Sequence, residues 1–165
     1  MLTVIVYDSS FGNTKRVAQA IESGVGASGT VRVLSAAEAM VQLSERPDLL
    51  LVGGPTQRHR MSPALRAFLD AIPRGDLGGV AAAAFDTRYR MRALLSGSAA
   101  GEAAGRLRKA GCRMIAPPES FFMARDVPPK GEKRRHELEG LEDGELGRAK
   151  EWGRAVSGAA QQRPM

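Results

Sequence analysis

Apolar runs and amphipathic segments alternate along this 165-residue chain, and the two patterns predict strands and helices in turn. Residues 2–7 (LTVIVY) are a continuous apolar, β-branched run, which is typical of a strand buried on both faces. After a polar turn at 8–14 (DSSFGNT), apolar residues recur every four positions, as one helical face requires, at Val17, Ile21 and Val25. The chain therefore starts with a strand, a tight loop and a helix.

The same alternation predicts the other elements of the fold. Strands are expected at 30–34, 48–53 and 79–85, and a last strand in two pieces, 112–116 and 120–123, separated by Pro117-Pro118. A short helix is expected to begin with a capping box of Ser35 and Glu38 and to end at about Leu43. The next helix is expected from Ser62-Pro63 to Ile72. A further helix should be capped by Ser96 or Ser98 and end at Gly111, and a final one should follow Glu142-Asp143.

Alternating strands and helices predict an α/β fold in which helices cover both faces of a parallel sheet. Five strands in this order fit a doubly wound five-stranded parallel sheet with the strand order 2-1-3-4-5. We expect one domain over residues 1–160, followed by a tail at 161–165. Residues from about 125 to 140 carry many charges and two adjacent prolines, which predicts an exposed, mobile loop in which His136 is solvated rather than catalytic.

Three polar loops should meet at the carboxyl edge of this sheet, where ligands bind in doubly wound folds. They comprise residues 8–14, 54–61 and 86–98. In the first loop, Ser9, Ser10 and Thr14 offer hydroxyl groups, and Gly12 lets backbone N–H groups approach a ligand at the positive end of the helix. This combination predicts an anion site, with phosphate as the expected anion, although the same residue types also suit an ordinary helix cap. The loop contains neither GxGxxG nor GxxxxGK[ST], the two commoner phosphate motifs.

The motif Ser9-Ser10-Phe11-Gly12-Asn13-Thr14, directly after the first strand, resembles the FMN-phosphate loop of the flavodoxin family. The resemblance runs from residue 1 to about residue 157 and implies a flavodoxin-like fold with FMN as the cofactor. It implies phosphate contacts from Ser9, Ser10, Gly12, Asn13 and Thr14, with Phe11 contributing its backbone. The second loop is similar to the one that passes the isoalloxazine ring in flavodoxin-like quinone reductases, which implies contacts from Pro55, Thr56, Gln57, Arg58 and His59. The third loop would lie along the other edge of the ring, with Phe85, Asp86, Thr87, Arg88 and Tyr89.

The residues expected around the flavin depart from those of electron-transfer flavodoxins, which present aromatic rings and acidic side chains there. The second loop has no Trp or Tyr, which leaves His59 and Tyr89 as candidates for stacking on the ring. The two loops instead carry five arginines against the single acid Asp86: Arg58, Arg60, Arg88, Arg90 and Arg92. By Coulomb's law they predict a raised flavin potential and a site tolerant of two-electron reduction. Alternatively they form a solvated face, or they recruit an anion, either the phosphates of NAD(P)H or an acidic redox partner protein.

Composition narrows the function classes. The net charge of +6 suits anionic partners, but the charges are spread and only 5% of residues are aromatic, which argues against a nucleic-acid platform. No apolar run reaches the roughly 20 residues of a membrane span, and the start lacks the basic region of a signal peptide, so we expect a cytoplasmic protein without membrane contact. The single Cys112 is expected to be buried and inert, and two His and one Cys without ligand spacing indicate no metal site.

Three functions are compatible with these observations. The first is an FMN-binding electron carrier that works with a redox partner protein, in which no side chain need act as a catalytic acid or base. The second is an FMN-dependent NAD(P)H:quinone reductase, for which an oligomer is expected. The third is a binding module with a flavodoxin-like fold that has lost flavin, since fold alone does not establish function.

Overall fold

The computed structural model describes residues 1–26, 29–90, 97–125, 128–133, 135 and 139–162. The strands are β1 (Leu2–Tyr7), β2 (Thr30–Ser35), β3 (Leu49–Gln57), β4 (Arg60–Met61), β5 (Ala81–Tyr89), β6 (Arg113–Met114) and β7 (Glu119–Met123). The helices are α1 (Asn13–Val25), α2 (Ala36–Gln42), α3 (Pro63–Asp70), α4 (Ala99–Lys109) and α5 (Glu145–Gln161). None of these helices is long and apolar enough to cross a membrane.

The sheet is parallel along the path β2-β1-β3-β5-β6, and β7 pairs with β5 beyond the end of β6. The short strand β4 forms an antiparallel hairpin with the end of β3. Leaving this hairpin strand aside and counting β6 and β7 as one interrupted strand, the order is 2-1-3-4-5. The predicted doubly wound α/β fold is therefore confirmed, including the division of the last strand into two pieces.

Successive residues of the central strands pack on opposite faces of the sheet, because side chains alternate along a strand. Leu50 and Val52 join the core beneath α2, α3 and α4, whereas Leu49 and Leu51 join the core beneath α1 and α5. Both faces are covered, as the continuous apolar run in β3 predicts. The alanine-rich start of β5 is buried in the same way, so tertiary packing overrides the helix propensity of alanine there.

Helices α1 and α5 lie side by side and touch backbone to backbone. A Cβ added to Gly24 would collide with the carbonyl oxygen of Lys150, and one added to Gly153 would collide with the carbonyl oxygen of Ile21. Glycine at these two positions therefore allows the two helices to approach this closely.

An ionic cluster joins the start of α5 to β7. The Glu145 carboxylate accepts a 2.7 Å hydrogen bond from the backbone N–H of Phe122 and pairs with Arg148 at 2.6 Å. Arg148 also pairs with Glu119 at 2.7 Å and lies over the Phe121 ring. Hydrogen bonds from Arg148 hold the pKa of the Glu145 carboxyl below its ordinary value, and these carboxylates raise the pKa of Arg148.

Two predicted loops are in part strands. β3 continues through Gln57 because Thr56 and Gln57 pair with β4, so residues 54–61 form a hairpin rather than a loop. β5 continues through Tyr89 because its polar end pairs with β7 from Glu119 to Met123. Polar residues occupy strands here because neighbouring strands satisfy their backbone groups.

The helix α4 is capped by Ser98, whose hydroxyl accepts a 3.2 Å hydrogen bond from the backbone N–H of Gly101. The alternative cap, Ser96, belongs to residues 91–96, which lie outside the described residues.

The charged segment 125–140 is mostly exposed where it is described, at residues 129–133 and 135. Glu139 is an exception to the predicted exposure: it is buried, and its carbonyl accepts a 2.9 Å hydrogen bond from Asn13 Nδ2 at the start of α1. His136, which the sequence predicts to be solvated, lies outside the described residues.

Cys112 is buried as expected, and burial raises the pKa of its thiol to about 11.

Candidate functional site

Residues from all three predicted loops line one pocket at the carboxyl edge of the sheet. The pocket has a volume of about 160 Å³ and is lined by Ser9, Ser10, Phe11, Asn13, Thr14, Pro55, Thr56, Gln57, Thr87, Arg88, Tyr89 and Met123. It lies where the chain order of the strands reverses, since β1 has β2 on one side and β3 on the other. This is the position at which doubly wound sheets bind ligands.

The first loop turns sharply into α1 at Gly12, which has a φ of 88°. Ser9 fixes this turn, because its Oγ accepts a 3.0 Å hydrogen bond from the backbone N–H of Gly12. The helix starts at Asn13, so the positive end of its dipole lies at the pocket. Helix ends of this kind bind anions through backbone N–H groups, and Thr14 and Ser10 add hydroxyl groups beside it.

Direct hydrogen bonds join the three loops to one another. The Thr14 and Thr87 hydroxyl oxygens lie 2.8 Å apart in a buried hydrogen bond that connects α1 to β5. Gln57 Nε2 donates a 2.9 Å hydrogen bond to Ser10 Oγ, which connects the β3–β4 hairpin to the first loop. The pocket walls therefore have fixed relative positions.

Asp86 does not line the pocket but supports it from within the protein. It is fully buried, and its Oδ2 accepts hydrogen bonds from Thr56 Oγ1 at 3.0 Å, Ser98 Oγ at 2.6 Å and Ala100 N–H at 3.1 Å. Thr56 Oγ1 in turn accepts from the backbone N–H of Ala99 at 2.9 Å. The carboxylate thus binds the positive end of α4 and positions Thr56. Its Oδ1 is buried without a hydrogen-bond partner among the described residues.

Phe85 is also placed away from the pocket. Its ring is fully buried and packs edge to face against Phe121 and Trp152, with ring centroids 6.3 and 6.0 Å away. It also fills the space next to Gly53, where an added Cβ would collide with the ring. Phe85 and Thr87 lie on the same face of β5, but Phe85 is two residues farther from the carboxyl end of the strand and therefore does not reach the pocket.

Gly12, Arg58 and His59 are likewise absent from the pocket lining. Gly12 shapes the turn beside it, while Arg58 and His59 form the tip of the β3–β4 hairpin, with positive φ angles of 46° and 67°. Both side chains are exposed. Behind the tip, a Cβ added to Gly97 would collide with the carbonyl oxygen of His59, so the chain before α4 packs closely against the hairpin.

One lining residue, Met123, was not predicted. It is the last residue of β7 and pairs with Tyr89, the last residue of β5. The signal was available in the sequence, because the rule that ligands lie at carboxyl ends of strands applies to the last strand as well.

The predicted basic rim is divided by the structure into paired and unpaired arginines. Arg90 pairs with Glu142 at 3.0 Å and lies 4.0 Å from the centre of the Phe122 ring. Arg88 lines the pocket, and its Nε is buried without a partner among the described residues. Arg58 and Arg60 are exposed and have no ion pair within the described part of the chain, and Arg92 lies outside it.

The sequence matches the flavodoxin family model over residues 5–137. The chain belongs to the flavodoxin family. Every sequence-predicted cofactor residue falls within the matched range. None of the curated proteins compared with the sequence matches it.

Solved structures of flavodoxins share the fold of this flavodoxin-family chain. A flavodoxin from the domain Archaea is 24% identical, with a TM-score of 0.73 over 98% of this chain and 100% of that one. Flavodoxin 1 from Bacillus cereus is 18% identical, with a TM-score of 0.73 over 99% and 100% of the two chains. A flavodoxin, WrbA-like protein from Agrobacterium tumefaciens is 16% identical, with a TM-score of 0.70 over 99% of each chain. At these identities the likeness concerns the fold.

The groups in the pocket suit a ligand with an anionic end and a flat ring. The end of α1 and the Thr14 and Ser10 hydroxyls can donate hydrogen bonds to a phosphate, and Arg88 adds a positively charged residue to the same lining. Tyr89, Met123 and Pro55 offer apolar surface for a ring. These residues fit FMN, the cofactor typical of the flavodoxin family. Within the described residues, no group of His, Cys, Asp and Glu side chains could hold a metal ion.

Proposed function

We propose that this chain binds FMN in the pocket between the three loops and carries electrons between partner molecules. The observation that carries the proposal is that the positive end of α1, Thr14, Arg88 and Tyr89 line one pocket. A ligand with a phosphate and a flat ring satisfies all of these groups at once.

The protein's own residues bind and orient the cofactor. The N-terminal turn of α1, Ser10 and Thr14 would hold the phosphate, and Pro55, Tyr89 and Met123 would border the ring. Thr56, which Asp86 positions, borders the same pocket. When bound, FMN supplies the ability to accept and release electrons, so no residue of the site has to act as an acid or a base.

The size of the pocket supports an electron carrier. Its 160 Å³ is smaller than the roughly 300–1,000 Å³ of pockets that enclose a whole small molecule. A bound flavin would therefore keep part of its ring at the surface, where it can exchange electrons with a partner without leaving the site.

The charge of Arg88 supports a raised reduction potential. Arg88 lines the pocket, whereas Asp86 is buried outside the lining and is hydrogen-bonded to the start of α4. A nearby positive charge favours the more negative, reduced form of the cofactor by Coulomb's law. We expect the potential of the bound flavin to lie above that of flavodoxins with acidic sites.

The proposal is tested by titrating the purified apo-protein with FMN and following flavin fluorescence. We expect saturable one-to-one binding, and we expect Thr14→Val to weaken it about 10- to 100-fold, the effect of losing one hydrogen bond to a charged group. The matched control is Thr3→Val, because the Thr3 hydroxyl is buried in β1, has no partner among the residues that the structure describes, and lies far along the strand from the pocket. This control should bind FMN as tightly as the unaltered protein.

The proposal is rejected if the unaltered, folded protein shows no binding at about tens of micromolar FMN, weaker than about −6 to −7 kcal/mol. Gel filtration and steady-state NAD(P)H oxidation then separate a carrier from a quinone reductase. Rapid NAD(P)H oxidation by an oligomer would favour the reductase.

A further inference from the structure

We propose that the tip of the β3–β4 hairpin, residues 58–60, forms with Phe11 a docking surface for an acidic protein. This surface is called the basic tip below. The inference rests on the proposed function, because the surface lies at the mouth of the pocket assigned to FMN and the docked protein would be the redox partner.

The basic tip is held in place although its backbone conformation is unfavourable. Arg58 and His59 both have positive φ angles, which residues with a side chain rarely adopt. Pairing of Gln57 with Arg60, the hydrogen bond from Gln57 to Ser10 and the close packing of Gly97 behind His59 fix the turn. Strained backbone of this kind persists where the surrounding structure determines it, and it is concentrated at functional sites.

The positive charges of the basic tip are not neutralised within the described structure. Arg58 and Arg60 are exposed without an ion pair among the described residues. Five other arginines pair with carboxylates: Arg66, Arg90, Arg106, Arg148 and Arg154. The acid in the neighbouring loop, Asp86, is buried and hydrogen-bonded to the start of α4, and it forms no ion pair with Arg58 or Arg60. The surface therefore presents positive potential to an approaching molecule.

Phe11 gives the same surface an apolar contact. Its side chain is 59% exposed on the rim of the pocket, and the other large exposed apolar side chains among the described residues, Met40 and Val41, lie on α2. Phe11 is joined to the hairpin through its neighbour Ser10, which accepts the hydrogen bond from Gln57. Protein interfaces are enriched in aromatic side chains and arginines, the residue types found here.

The shape of this region favours a protein over a small anion such as NADPH. A pocket of about 160 Å³ lies at this edge of the sheet, and the proposed FMN would fill it. Two other cavities, of about 670 and 410 Å³, both include Arg46 and Pro47, which precede β3 at its amino end. Residues 58–60 line none of these three cavities and are exposed, and a protein can cover such an open surface.

The test measures binding of two protein probes of opposite charge, an acidic [2Fe–2S] ferredoxin and basic cytochrome c, by titration of the ¹⁵N-labelled protein. We expect binding of the ferredoxin at about 0.01 M salt, with resonance shifts at Phe11 and residues 58–60, and loss of binding at about 1 M salt as charges become screened. Arg58→Glu with Arg60→Glu should weaken this binding at least about ten-fold, and cytochrome c should bind the unaltered protein more weakly than the ferredoxin.

The matched control is Arg74→Glu with Arg108→Glu. These arginines are also exposed, and they lie before β5 and near the end of α4, at the opposite edge of the sheet. The control lowers the net charge equally, so it should leave ferredoxin binding within about two-fold. Equal weakening by both double variants would show that total charge, rather than the basic tip, determines binding and would overturn the inference. Weakened NADPH binding with unchanged ferredoxin binding would overturn it in favour of a small anion.

Both probes are titrated with apo-protein and with FMN-loaded protein. Ferredoxin binding through the basic tip in a protein that does not bind FMN would support the docking surface and reject the proposed cofactor. FMN binding without ferredoxin binding would support the proposed cofactor and reject the docking surface. Phe11→Ser, which leaves the charge unchanged, should weaken ferredoxin binding and thereby show whether the apolar contact takes part.

Discussion

At the scale of single residues, the backbone conformation of Arg58 and His59 lowers the stability of the folded protein. A left-handed backbone costs a residue with a Cβ roughly 1–2 kcal/mol, and two-residue hairpin turns prefer Asn-Gly or Gly-containing pairs for this reason. The sequence Gln-Arg-His-Arg has no such signal, which is why its pattern predicts a loop rather than a hairpin.

Replacing Arg58 with glycine should therefore stabilise the protein by up to about 1 kcal/mol, because glycine adopts a φ of 46° without strain. The control is Arg74→Gly, an exposed arginine that is not among the positive-φ residues. Glycine there should destabilise the protein by about 0.5–1 kcal/mol, since it adds freedom to the unfolded chain. Urea unfolding measures both values. A loss of stability in both variants would show that Arg58 is not strained.

The sequence locates some site residues better than others for a physical reason. Ser9 to Thr14 follow a strand and start a helix, so their place at the carboxyl edge depends only on local order. The burial of Asp86 depends on Thr56, Ser98 and Ala100, which come from other segments of the chain. Residue type alone did not show that Asp86 and Phe85 lie beneath the pocket rather than in its wall.

At the scale of elements, the contact between α1 and α5 depends on two glycines. Gly153 is buried within α5, and a Cβ there would meet the carbonyl oxygen, carbonyl carbon and Cα of Ile21. These are backbone atoms of a neighbouring helix and cannot rotate away as a side chain can. The helices would have to separate to admit one methyl group.

Gly153→Ala should lower the free energy of unfolding by about 2–3 kcal/mol, the cost of overpacking. Gly158→Ala is the control in the same helix, because a Cβ at Gly158 meets no atom within 4 Å. That substitution should raise stability by up to about 1 kcal/mol, since alanine is the better helix former. Chemical denaturation of the two variants gives the comparison. Equal stabilisation by both would contradict the close contact at Gly153.

The existence and order of the elements were predictable, and their ends were less so. Apolar periodicity identifies β1, α1 and the start of β3 because these segments are buried against the core. The ends of β3 and β5 are polar, and they are strands only because β4 and β7 pair with them. Pairing between distant segments has no signal in the local pattern.

At the scale of the whole molecule, the cluster of Glu145, Arg148 and Glu119 joins the last helix to the sheet. Because the pKa of the Glu145 carboxyl is lower in the folded protein than its usual 4.5, the folded state is favoured when this group is ionised. This contribution to stability is fully present above about pH 4.5 and is lost as the pH falls through the lowered pKa of the folded state.

Glu145→Gln should lower the free energy of unfolding by about 2 kcal/mol at pH 7, less than for a fully buried pair because Arg148 is partly exposed. The difference from the unaltered protein should shrink below about pH 4.5, where the native carboxylate becomes protonated. Thermal and urea unfolding over a pH series measure this change. Glu151→Gln, which removes an exposed partner of Arg154, should cost less than about 0.5 kcal/mol. A pH-independent difference for Glu145→Gln would contradict the assigned pKa direction.

The interrupted last strand has a consequence for association between molecules. Two residues of β6 and five of β7 cover the outer side of β5, and Pro117 and Pro118, which carry no N–H, stand between them. A strand from another molecule would find no continuous row of donors and acceptors along this border with which to extend the sheet. The sheet is thereby protected at this border against growth into aggregates in concentrated solution, a protection that replacing the two prolines with β-branched residues would weaken.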